Sequence, residues 1–130
     1  MFKLSKKTEY CILALRHLAE QSDKSATVKG MAQELRISQS LLAKLLQELA
    51  RCKIVGSIQG AHGGYRLLTE LGRLSLAELV EIVEGPITLT ACSHSDRTCE
   101  RQQDCDLKKS IVPVGLQVRS VLETIKVADL

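Results

Sequence analysis

TVKGMAQELRISQSLLAKLLQELARCKIVGSIQGAHGGYRLL, residues 27–68, decides the fold. Thr27 is placed to cap a short helix from Val28 to Leu35, whose Met31, Ala32 and Leu35 share one face. Gly30 weakens that helix slightly. After Arg36 and Ile37, Ser38 caps a longer helix to about Arg51, with Leu41, Leu42, Leu45, Leu46 and Leu49 as its apolar stripe. Ile54 to Leu68 then reads as a β-hairpin whose tip is Gly60-Ala61-His62-Gly63-Gly64. Helix, tight turn, helix and glycine-tipped hairpin is the order of a winged helix-turn-helix. In that fold the second helix enters the major groove of DNA and the hairpin reaches to backbone or minor groove.

This order nominates the DNA-facing residues. Ser38, Gln39 and Ser40 stand at the positive N-terminal end of the recognition helix, and Lys44 adds a cation one turn on. Thr27 opens the preceding helix. Gln59, Gly60, His62, Gly63, Gly64 and Tyr65 form the wing, where glycines permit positive φ and close backbone approach. Each residue taken singly also has an ordinary reading, Ser38 as an N-cap and the glycines as a bare turn, so the group carries the inference. His62 is not a catalytic base, because no carboxylate or nucleophile stands near it in sequence.

Outward from this block, residues 5–19 form a first helix on Tyr10, Leu13, Ala14, Leu15 and Leu18, joined to Thr27 by a polar link. Ser75 with Glu78 is a capping box opening a helix over 76–84, which Gly85-Pro86 closes. A polar loop from about Thr90 to Asp106 leads to a last helix with Ile111, Val114, Val118, Val121, Leu122 and Ile125 on one face. There Pro113 either kinks the helix or marks its first turn. The expected organisation is a DNA-binding domain over 1–86, a cysteine-bearing loop over 87–106 and a C-terminal dimerisation helix with its tail over 107–130. The fold class is mainly α with a small β-hairpin wing. Aromatics are only 2% of the chain and Trp is absent, so Leu, Ile, Val and Ala must build the core, which suits packed helices.

Charge is unevenly spread. Residues 1–70 carry eleven Lys/Arg against six Asp/Glu, and residues 71–130 carry seven against nine, which puts the basic surplus on the winged half. No apolar leader opens the chain and no run of about 18 apolar residues occurs, so a soluble, cytoplasmic protein with no membrane partner is expected. No nucleophile, base and oxyanion donor can be assembled, which argues against an enzyme and a small-molecule substrate.

Five cysteines in a reducing compartment do not make a disulfide framework. Cys92, Cys99 and Cys105 share one polar loop, at spacings wider than the close pairs of zinc fingers. An iron-sulfur cluster therefore ranks ahead of structural zinc, with unliganded thiols last. A fourth ligand comes from nearby His94 or from a carboxylate elsewhere in the fold. Cys11 and Cys52 read as small buried hydrophobes. A small electron-transfer or cluster-carrier protein would use the same cysteines but needs no recognition helix.

LSKKTEY, SLLAKLL, GAHGGYRL, LAELVEIVEG and the three-cysteine loop together resemble the Rrf-two family of winged-helix regulators, the type of IscR, NsrR and RirA. GAHGGYRL with VEGPITLTAC is most similar to the subgroup regulating SUF-type iron-sulfur assembly genes. The resemblance implies a homodimer zipped by the C-terminal helix, a pseudo-palindromic operator in double-stranded DNA, and a 2Fe-2S or 4Fe-4S cluster whose state is the signal. It also implies a fourth ligand taken either from a histidine three residues after the last cysteine, where this chain has Lys108, or from an acidic residue in the partner's first helix. Glu9 of the partner subunit matches the second case. A second departure is Gln59, where many relatives carry a minor-groove arginine.

Overall fold

In the computed structural model, which describes residues 3–93, 99–101 and 103–130, the first four α-helices each begin where a side chain captures an otherwise unpaired backbone N–H. Ser5 Oγ accepts from the Thr8 N–H at 3.3 Å and opens α1, Lys6–Glu20, which buries Cys11, Ala14, Leu15 and Leu18 at helical spacing. Leu13, expected on the same inward stripe, is exposed instead. Thr27 Oγ1 accepts from the Gly30 N–H at 3.1 Å and opens α2, Val28–Leu35. A Cβ at position 30 would stand 2.9 Å from that oxygen, so the glycine that weakens the helix also leaves room for its cap. Arg36 turns the chain in the left-handed region, and Ile37 is buried in the turn. Ser38 then caps α3, Gln39–Arg51, which buries Leu42, Leu45, Leu46 and Leu49.

The wing consists of β2, Val55–Ile58, and β3, Gly64–Leu67, paired antiparallel with Val55 opposite Leu67 and Ile58 opposite Gly64. It is larger than the expected hairpin. Ser25–Ala26, read from sequence as polar link, forms a further strand, β1, against β3, with Ser25 opposite Arg66 and Ala26 opposite Tyr65, giving the order β1-β3-β2. Two residues are too few to show an alternating pattern, so this strand leaves no periodic trace.

Ser75 and Glu78 make the capping box of α4, Leu76–Glu84, and Gly85 closes it at φ 89°. A 3-10 turn at Ala91–Ser93 precedes α5, Asp106–Thr124. Pro113 lies inside α5 and so does not mark its first turn. The apolar face expected on this helix is divided: Ile111, Val118 and Leu122 are half-buried, while Val114 and Val121 are 42% and 61% exposed, beside exposed Leu107 and Leu116. Arg119 Nε and Nη2 clasp the Glu81 carboxylate at 2.8 and 3.1 Å and hold α5 to α4. Beyond α5 the chain returns to the core. The Leu76 N–H donates to the Ile125 carbonyl at 2.8 Å, the Val127 N–H to that of Leu74 at 2.9 Å, and the Val127 side chain is fully buried. A single aliphatic core joins α1, α2, α3, β2, β3, α4 and Val127. Among the described residues no helix is long and apolar enough to cross a membrane.

Candidate nucleic-acid interface and cysteine segment

Thr27, Gln39, Gly63, Gly64 and Tyr65, nominated from three separate stretches of sequence, line one open groove of about 490 Å³ between α2, α3 and the wing. Lys29 and Ser57 line it as well, and among the described residues no Asp or Glu does. Ser40 and Lys44 are exposed one turn apart on α3, and exposed Gln47 and Arg51 continue that stripe. The sequence-based nomination ends at Lys44, although the i, i+4, i+7, i+11 spacing from Ser40 reaches both. Ser38 is engaged locally, its Oγ accepting from the Leu41 N–H at 3.5 Å and lying 3.0 Å from Ser40 Oγ. Gln59, Gly60 and His62 are exposed at the wing tip, outside the groove lining.

The three wing glycines serve different needs. Only Gly60 has positive φ, 111°, and its carbonyl accepts from the Gly63 N–H at 3.0 Å to close the tip. Gly63 and Gly64 do not take the positive φ expected of them. A Cβ at Gly63 would stand 2.6 Å from the Ile58 carbonyl oxygen, and one at Gly64 would stand 2.1 Å from that of Ala26. The close approach these glycines permit is thus between the wing's own strands.

Of the three clustered cysteines, Cys92 is half-buried in the 3-10 turn and its Sγ donates to Thr90 Oγ1 at 3.4 Å. Cys99 is exposed. Cys105 occupies the N-cap of α5, at the positive end of a 19-residue helix, without making a side-chain cap bond. Among the described residues no three His, Cys, Asp or Glu side chains converge as a metal-binding group. The donor chemistry, three soft sulfurs on one short segment, fits an iron-sulfur core or zinc; the ligands are not gathered around a common point. His94 lies outside the described residues.

Glu9 sits in the first turn of α1 with its carboxylate 2.6 Å from Lys6 Nζ. Nearby, Glu84 at the end of α4 accepts from the Thr8 hydroxyl and, at 3.3 Å, from the Ser5 N–H, tying the start of α1 to the root of the cysteine segment. Burial is the largest influence on Glu84 and pushes its carboxyl up, but the bonds from Thr8 and Ser5 together outweigh it and hold the group below the usual carboxylate range. Burial pushes the Cys11 thiol up to about 12, consistent with a small buried hydrophobe. Cys52 corrects that same expectation. It is exposed at the C-cap of α3, because the chain turns there through Lys53 in the left-handed region.

A family model described as "Rrf2: Iron-dependent Transcriptional regulator" matches residues 4–130. The chain is 32% identical to the HTH-type transcriptional regulator NsrR of Shouchella clausii, across 98% of this chain and 87% of that protein. In three dimensions it resembles CymR, the global cysteine regulator of B. subtilis, with a TM-score of 0.73 at 25% identity, covering 99% of this chain and 95% of the other. It also resembles IscR of T. potens, with a TM-score of 0.71 at 25% identity over 98% and 85% of the two chains.

Proposed function

The chain belongs to the Rrf2 (Rrf-two) family of transcriptional regulators, and on that premise we propose that it is a homodimeric, iron-sulfur-sensing regulator of iron-sulfur assembly genes of the SUF type. It is a DNA-binding regulator and not an enzyme. The observation that carries the sensing half is the commitment of one segment between α4 and α5 to three cysteines, one of them an N-cap that does no capping. A bound 2Fe-2S or 4Fe-4S core supplies a tie among these sulfurs that oxidation or iron loss breaks.

Cys92, Cys99 and Cys105 hold the core in this reading, and Glu9 of the partner subunit completes it once its carboxylate leaves Lys6. The exposed apolar face of α5 is the dimer seam, and two copies of α3 then meet successive major grooves of a pseudo-palindromic operator. Cys105 stands at the N-cap position of α5, Arg119 fastens α5 to Glu81, and Glu84 fastens α4 to α1. Reordering the cysteine segment therefore shifts elements that position both recognition helices. A coupling of about 1–3 kcal/mol changes operator affinity roughly 5- to 150-fold.

Anaerobic purification with iron available tests the sensing half. The expected protein is coloured and contains iron and acid-labile sulfide, Cys99→Ala loses the absorbance, and Glu9→Ala shifts it. Stoichiometric zinc without colour would overturn the sensor and leave a structural metal site. An unchanged spectrum in Glu9→Ala would remove that ligand alone.

A further inference from the structure

We infer that Lys29 is a DNA-backbone anchor, holding the phosphates that run between the major groove read by α3 and the minor groove met by the wing. The inference rests on the DNA-binding reading and adds to it a residue and the part of the duplex it touches.

When a recognition helix occupies a major groove and a wing reaches the adjoining minor groove, a sugar-phosphate ridge must cross the surface between helix and wing. In this chain that surface is the groove bounded by α2, Gln39 of α3 and the wing strands. Among the described residues its lining contains no acidic residue and one cation, Lys29. The ammonium of Lys29 makes no ion pair among the described residues, whereas Lys6, Arg73, Lys109 and Arg119 are each matched to a carboxylate. It is an exposed charge with no carboxylate among the described residues to give up.

The groove is also fixed in shape. β1 pairs with β3 so that Ala26 faces Tyr65, and the missing Cβ of Gly64 lets the wing lie against the Ala26 carbonyl and the Thr27 backbone. Lys29 sits two residues beyond Thr27 on the first turn of α2, so its stem is held at a set offset from the wing root. This placement depends on β1, the strand that sequence alone did not reveal.

The test uses full-length protein and a fluorescent duplex selected by the wild type from a random pool, with the dissociation constant measured against salt. Lys29→Ala is expected to weaken binding roughly tenfold, equally for the selected duplex and a scrambled one, and to lower the salt slope by about one ion. Lys29→Arg should restore both, and Arg73→Ala, which removes a cation outside the groove lining, should keep the wild-type slope. A Lys29→Ala slope equal to wild type, a loss confined to the selected sequence, or an equal drop in Arg73→Ala would each overturn the anchor while leaving DNA binding intact. Failure of the wild type to bind any duplex would overturn the DNA reading, and the anchor with it.

Discussion

The Val127 N–H donates to the Leu74 carbonyl at 2.9 Å, and this bond seats a fully buried side chain in the winged domain beyond the long helix. Because α5 is also clasped by Glu81 through Arg119, it is fastened to the DNA-binding unit in its last third and again just beyond its end. Val127→Ala removes two methyl groups from a closed site and should cost roughly 2 kcal/mol. Urea unfolding checks this; a change below about 0.5 kcal/mol would mean that the tail does not contribute to the core.

Acid should loosen α4. The Ser75 backbone N–H donates to Glu78 at 2.8 Å and its hydroxyl at 2.9 Å, holding the Glu78 carboxyl below its ordinary value of 4.5. Because the folded value is depressed, this stabilisation is present above pH 4.5 and is lost as pH falls through the folded value. Glu78→Gln, which removes the titrating carboxylate, should lower stability at neutral pH by about 1 kcal/mol and flatten the fall in stability below pH 4.5. A variant with the wild-type acid profile would show that the box does not set it.

Thiol reactivity should divide the cysteines by position. With the protein free of metal, exposed Cys52 and Cys99 should be alkylated rapidly at neutral pH, and Cys11, buried with its thiol pushed up to about 12, only after unfolding. Peptide mass spectrometry reads each site. Labelling of Cys11 at the rate of Cys52 in folded protein would contradict the packing of α1.

Gly64→Ala should separate the wing from β1. Its Cβ would stand 2.1 Å from a backbone oxygen, which no rotamer change relieves, so a loss above about 2 kcal/mol is expected. Gly60→Ala meets no neighbour within 4 Å and suffers only from its positive φ, so it should cost about 1 kcal/mol. Comparable thermal unfolding of the two variants would refute this division of roles.

What could be read from the chain followed from regular patterns with local causes. The leucines of α3, the Ser75–Glu78 box and the glycine tip each announce themselves within a few residues, and they placed the helix-turn-helix and wing correctly. What escaped was decided by distant partners. Ser25–Ala26 is a strand only because β3 offers an open edge, and Lys29 faces the groove only because that strand sets α2 beside the wing. Leu13 and Val121 carry the period of inward residues yet are exposed, since periodicity marks an apolar face without saying what covers it. Cys52 looked buried by type and is not, because a helix end turns on backbone geometry that residue type does not encode.

Operator affinity measured anaerobically on the same protein preparation, first with its iron-sulfur core and then after chelation and desalting, bears most directly on the proposed function. A duplex selected from a random pool by either form serves as the probe. Dissociation constants should differ at least about fivefold between the two forms, with Cys99→Ala fixed at the value of the stripped protein. Equal affinities in a dimer that demonstrably gains and loses its core would contradict the proposed function.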